Sequence, residues 1–297
     1  MKNAYLKQLF EVIDGTNVST DFAPEISIDQ VNTVTNDVKK LREVLGVQSL
    51  IPVNEGGLIK RYKTTVVKPA EQVAEGELIK LTKTTRTPLT PITLTLNKYL
   101  KLTTAEAIQT RGERIAINES DAEAVADIRK DIKDNFFANI KATGSTAAAG
   151  GADFQQAVAA AWGTLTSFYE DLRMDKGIYF ANPITVSKYL GTAAITTQEA
   201  SGISYLENFM GIGTLILSKE IGVNDVYATA SNNLKAYYVP ATSETARWFE
   251  LTTDETGLVG VTHGRVLERA SIQTLMMSAV AFVAEDQAGV IKSTITA

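Results

Sequence analysis

Val125, Ile128, Ile132, Phe136 and Ile140 recur at three- and four-residue spacing, so they fall in one narrow sector of a helical wheel. Ser120 and Glu123 ahead of them have the spacing of a capping box, and Gly144 follows as a stop. The pattern predicts a long helix over 120–143 with one buried face. Ile28, Val31, Val34, Val38, Leu41 and Leu45 predict a second amphipathic helix over 27–46, capped by Ser27 and ended by Gly46. A third starts at Asp153, with Val158, Ala161, Leu165, Phe168 and Leu172 in phase. Between these, Ile92, Leu94 and Leu96 alternate with Thr93, Thr95 and Asn97 as in a half-buried strand. IYFANP reads as a buried strand ending where Pro183 opens a helix, and GTLILSKE, DVYAT and LKAYYVP read as further strands. STAAAGGAD reads as a loop. The run 270–284 fits helical spacing through Ile272, Leu275, Met276, Ala279, Val280 and Val283, and equally a strand buried on both faces. The fold class is α+β.

Residues 58–87 have a different texture. Thr, Val, Ile and Tyr alternate there with seven Lys or Arg, three Glu and six Thr in all, around a Pro- and Gly-bearing middle. This is a cationic β-hairpin with too little apolar surface to stabilise itself, since an isolated two-stranded ribbon is marginal in water.

Charge adds a second pattern. Glu119, Glu123, Asp127, Asp131 and Asp134 stack on the side of the long helix away from its apolar stripe, interrupted by Lys130. The 297 residues are 44% apolar and 21% charged, with a net charge of −5, ordinary for a folded protein and unfavourable for sequence-independent DNA binding. No window approaches eighteen uninterrupted apolar residues, so no membrane span is expected, and the N-terminus lacks a signal-peptide core. The absence of cysteine excludes disulfides, thiolate metal sites and Cys nucleophiles, and a single histidine, His263, leaves at most one imidazole base.

Candidate catalytic chemistry is thin. MGIGT has a Gly-x-Gly followed by strand-like residues, where a phosphate cradle needs a helix; it reads as a turn. His263 has no nucleophile elbow to serve and reads as a turn or surface histidine. Regular acidic spacing on a helix is a solvated face more often than a glycosidase pair, and Asp254–Glu255 and Glu285–Asp286 are chain neighbours that a strand would point apart. No catalytic, cofactor or metal site is expected.

The order of parts is similar to that of tailed-bacteriophage major capsid proteins with the Hong Kong 97-type fold. The resemblance implies an N-terminal arm with its helix (1–55), an extended loop (56–97), a peripheral domain (98–151 and 266–297) containing a spine helix (120–143), and an axial domain (152–265). It favours a strand for 270–284. It implies a chain that assembles into pentamers and hexamers of a closed icosahedral shell around double-stranded DNA, the virion capsid, put together in the bacterial host cytoplasm. Expected partners are a separate scaffolding protein, a portal and a decoration protein. Both chain ends are expected to be held by neighbouring copies and the N-terminus to be uncleaved. No crosslink is expected from Lys60, Lys63, Lys68, Lys80 or Lys83, none being marked as reactive. In the family the loop lies over an adjacent subunit, which implies contacts between Lys60, Arg61, Lys63, Lys80, Lys83 and Arg86 and the acidic row Glu119, Glu123, Asp127, Asp131 and Asp134 of that neighbour. The encapsulin shell proteins share this fold without DNA and are the nearest alternative. A soluble α+β enzyme with a pocket at His263 or Asp254 is the alternative from another class.

Overall fold

The computed structural model describes residues 19–54, 56, 58–59, 62–67, 83–144, 146–169, 174–191, 197–200, 202–241, 248–253 and 255–296. Expectations that fall on 1–18, on the middle of the cationic hairpin, on Leu172 or on Asp254 lie outside these residues.

The arm helix spans Ser19–Val44, eight residues earlier than its sequence pattern suggests, so Ser27 lies within it and is not its cap. Its stripe does bury Val31, Val38, Leu41 and Leu45. The stop is as expected: Gly46 adopts φ 70°, and a side chain there would collide with Ile178 Cδ1.

The long helix spans Glu113–Thr143, seven residues longer at its start than the capping box implied. Ser120 and Glu123 are interior residues, and the start is marked instead by Gly112 at φ 87°, where the preceding short helix Ala105–Arg111 ends. Val125, Ile128, Ile132, Phe136 and Ile140 are all buried, as their phase predicts.

Among the described residues the strands form three larger sheets. A seven-stranded sheet runs Thr146–Ala147, Ile291–Thr294, Asp225–Ala230, Gly177–Ala181, Gly213–Leu217, Ile203–Phe209, Gln198–Ala200. Its central strand Gly177–Ala181 is buried throughout because both faces are covered. Ile178, Phe180, Ile216 and Tyr227 join a core with the arm and long helices. Tyr179, Leu215, Val226 and Ala228 pack with the helix Phe154–Phe168 on the other side. Pro183 opens the helix Pro183–Leu190 as expected, with Asn182 Oδ1 accepting from Ile184 N at 2.9 Å. Thr146–Ala147 corrects the loop reading of STAAAGGAD: it adds a parallel strand to Ile291–Thr294.

A four-stranded antiparallel sheet orders Thr252–Thr253, Val259–Val266, Ser271–Ser278 and Asn97–Thr104. The half-buried strand near Ile92 therefore lies mainly one step on, at Asn97–Thr104; only Ile92–Thr93 pairs upstream, with Leu58–Ile59. Residues 270–284 are strands, Ser271–Ser278 and Val280–Ala284, and the second joins Leu234–Tyr238 and the arm's Ser49–Pro52 in a three-stranded sheet. Val259–Val266 pairs with Ser271–Ser278, while Ile291–Thr294 lies in the seven-stranded sheet.

Tyr62–Val67 and Lys83–Pro88 form the expected antiparallel ribbon, in register from Tyr62↔Pro88 to Val67↔Lys83. Among the described residues it hydrogen-bonds to no other strand. No helix of the described residues is long and apolar enough to cross a membrane.

Candidate functional site: the charged helix face and the basic ribbon

The ladder register separates the ribbon's cations. Lys63 lies opposite Thr87 and Lys83 opposite Val67, whereas Arg86 lies opposite Thr64. With a two-residue period, the positions of Lys63 and Lys83 fall on one face of the ribbon and that of Arg86 on the other. Lys60, Arg61 and Lys80 lie outside the described residues.

The acidic row is present, and its own chain uses it. Lys101 Nζ, on Asn97–Thr104, lies 3.1 Å from Asp127 and 4.0 Å from Glu123. Tyr99, two residues before it, donates its hydroxyl to Asp131 Oδ2 at 2.7 Å. Burial, then this hydrogen bond and the negative charge of Asp131 and Asp127, push the Tyr99 hydroxyl pKa upward, so it stays a donor. Glu119 pairs with Arg111 of the preceding helix, and Lys130 reaches Asp134 at 2.9 Å. The side chains of Glu119, Glu123 and Asp127 remain 55%, 77% and 53% exposed, which leaves room for a second cationic partner.

His263 is not a surface residue. It lies in the strand Val259–Val266, with its side chain 6% exposed, and its Nε2 is 3.1 Å from Oδ2 of Asp121, whose side chain is fully buried. Asp121 Oδ1 has no hydrogen-bond partner. His263, Thr274 and Lys101 are register partners across three strands, so the sheet offers a row of contacts to the long helix: His263 to Asp121, then Lys101 to Glu123 and Asp127. Sequence reasoning missed Asp121, although the signal was there. It sits four residues before Val125 in the buried stripe, so its phase already placed a carboxylate inside.

MGIGT is a turn between Ile203–Phe209 and Gly213–Leu217, with Met210 and Gly211 at positive φ. Among the described residues no group of three His, Asp or Glu side chains is placed to hold a metal ion. Exposed leucines do cluster: Leu100 and Leu102 alternate on the face of Asn97–Thr104 opposite Tyr99 and Lys101, 55% and 40% exposed.

Neither a protein-family model nor a curated protein matches the sequence. Solved structures do match the fold. The procapsid of satellite phage P4 aligns over 99% of this chain and 95% of its own, with a TM-score of 0.52 at 10% identity. The mature capsid of bacteriophage PhiM1 aligns over 84% of this chain and 86% of its own, at 0.52 and 10%. The encapsulin of Synechococcus elongatus aligns over 100% and 96%, at 0.51 and 11%. The chain has the Hong Kong 97-type fold. At such identity the likeness is one of architecture, and no residue role carries over with it.

Proposed function

We propose that this chain is the major capsid protein of a tailed bacteriophage, copies of which assemble into the icosahedral head shell. The observation that carries the reading is the basic ribbon, bonded to no other strand of its own described body while attached to a Hong Kong 97-type fold. A two-stranded sheet of Lys, Thr and Val gains stability by lying on another surface, and a second copy supplies one. Such a head-to-tail contact closes into five- and six-membered rings. Each contact of standard size buries on the order of 1,600 Å², and the closed shell sums them.

In this reading the chain has no catalytic role. Its partners are further copies of itself, a scaffolding protein, a portal and a decoration protein, within a virion assembled in the host cytoplasm. The net charge of −5 suits a container that encloses DNA without adhering to it. The neighbour's surface under the ribbon would be the exposed carboxylates Glu119, Glu123 and Asp127, where charge fixes register.

Replacing residues 62–88 by a short Gly/Ser linker should leave a folded subunit with native circular dichroism and abolish closed shells in electron micrographs. Shells of normal yield from that variant would overturn the reading. Glu123→Lys, at the most exposed of these carboxylates, should slow assembly by a few-fold at low salt and change little at high salt, where exposed charges are screened. Light scattering measures it; equal rates at both ionic strengths remove the acidic row from the contact.

The encapsulin reading is favoured by the alignment of the cyanobacterial shell over the whole chain. Purified particles decide between the two: a shell that copurifies with one cargo protein and no nuclease-protected DNA is an encapsulin.

A further inference from the structure

We infer that the cleft at the carboxyl end of the arm helix is a docking site for an acidic peptide segment of a partner protein. The cleft encloses about 550 Å³, in the range of preformed ligand sites. Lys40 and Arg42 line it from the helix end and Lys176 from the chain entering the strand Gly177–Ala181. None of these three side chains makes a hydrogen bond or ion pair within the described residues. Arg42 Nε is shielded from solvent and has no acceptor. A shielded donor without an acceptor is uncommon in folded proteins, and a ligand oxygen would satisfy it.

The cleft is preformed. Gln48 Nε2, just past the helix, donates to Asp175 Oδ2 at 3.1 Å and Ser231 Oγ at 3.0 Å. Ser231 N in turn donates to Lys176 O at 2.9 Å, tying the segment that carries Lys176 to the helix end. On the other side, Val47 N donates to Arg42 O at 3.0 Å, closing the helix over the left-handed Gly46. The backbone that carries the three cations is thus tied together.

The same walls contain Glu43 and Glu207, and this decides the class of occupant. A polyphosphate backbone has no donor to offer either carboxylate, and a free phosphate is too small for the space. A peptide carries everything the lining asks for: carboxylate side chains for Arg42 and the lysines, backbone N–H groups for Glu43 and Glu207, and apolar carbon for Ile178. The inference stands apart from the shell reading, since the cleft lies within one subunit.

The test uses the full-length chain and a fluorescein-labelled peptide of alternating Glu and Ala, followed by fluorescence anisotropy, with an oligonucleotide of equal charge and inorganic phosphate as competitors. Because the ribbon is also basic, lysine acetylation read by mass spectrometry locates the contact. Peptide should protect Lys40 and Lys176. The double variant K40E/K176E, and separately Arg42→Gln, should bind about tenfold more weakly or worse, with unchanged thermal melting. Arg42→Gln alone suffices if the double variant fails to fold. Protection confined to ribbon lysines, or unchanged affinity in the folded variants, overturns the proposal. Displacement by the oligonucleotide at lower concentration than unlabelled peptide makes the site one for nucleic acid, and displacement by phosphate makes it a simple anion site; either result sinks the peptide assignment.

Discussion

Phe136→Ala should destabilise the subunit by about 3–5 kcal/mol, the usual range for deleting a fully buried aromatic ring. Phe136 has no exposed surface, and its ring stands edge-on to Phe137, Phe180 and Phe282, with centroids 5.3, 5.5 and 6.3 Å away. Those neighbours come from the long helix itself, the central strand of the seven-stranded sheet and the three-stranded sheet. One truncation therefore loosens three layers, and edge-to-face pairs add to the area lost. Chemical denaturation of dissociated subunits measures the change in midpoint. A loss below about 1 kcal/mol would show that the core closes around the gap.

The second large effect is expected at His263. His263→Ala leaves the Asp121 carboxylate, already without a partner on Oδ1, buried against nothing polar on its other oxygen. Breaking a buried pair from one side costs about 3–5 kcal/mol, whereas replacing both members with apolar residues of similar size is often neutral. The double variant H263L/D121L should therefore be more stable than His263→Ala alone. The same denaturation series checks it, and additive losses in the double variant would show that the two side chains act independently.

These two residues also show what the sequence could and could not reveal. Phe136 was legible because its neighbours at 128, 132 and 140 repeat with the helical period, and burial on one face follows from period alone. The start of the same helix was not. Ser120 and Glu123 carry the letters of a capping box, yet the preceding residues Glu113–Glu119 continue the helix, so the backbone groups they would have capped are already bonded. The true start lies at Gly112, a residue whose meaning depends on a positive φ that no spacing announces.

The strand identity of 270–284 was undecidable by period and settled by context, because Ser271–Ser278 is hydrogen-bonded to a strand along each edge. His263 was misjudged by treating a lone histidine by its usual placement; its partner is 142 residues away in the chain, and only the sheet brings them together. The basic ribbon was legible as a ribbon. That its strand cations divide between two faces needed the register.

The seven-stranded sheet has a consequence for how the polypeptide is made. Its strand Ile291–Thr294 sits between Thr146–Ala147 and Asp225–Ala230, so a segment translated later than both is wedged between them. Until the ribosome has delivered that segment, the edge of Asp225–Ala230 stays open and the sheet is two ladders short. Nascent chains on a crowded polysome thus carry an unfinished edge until synthesis has passed residue 294.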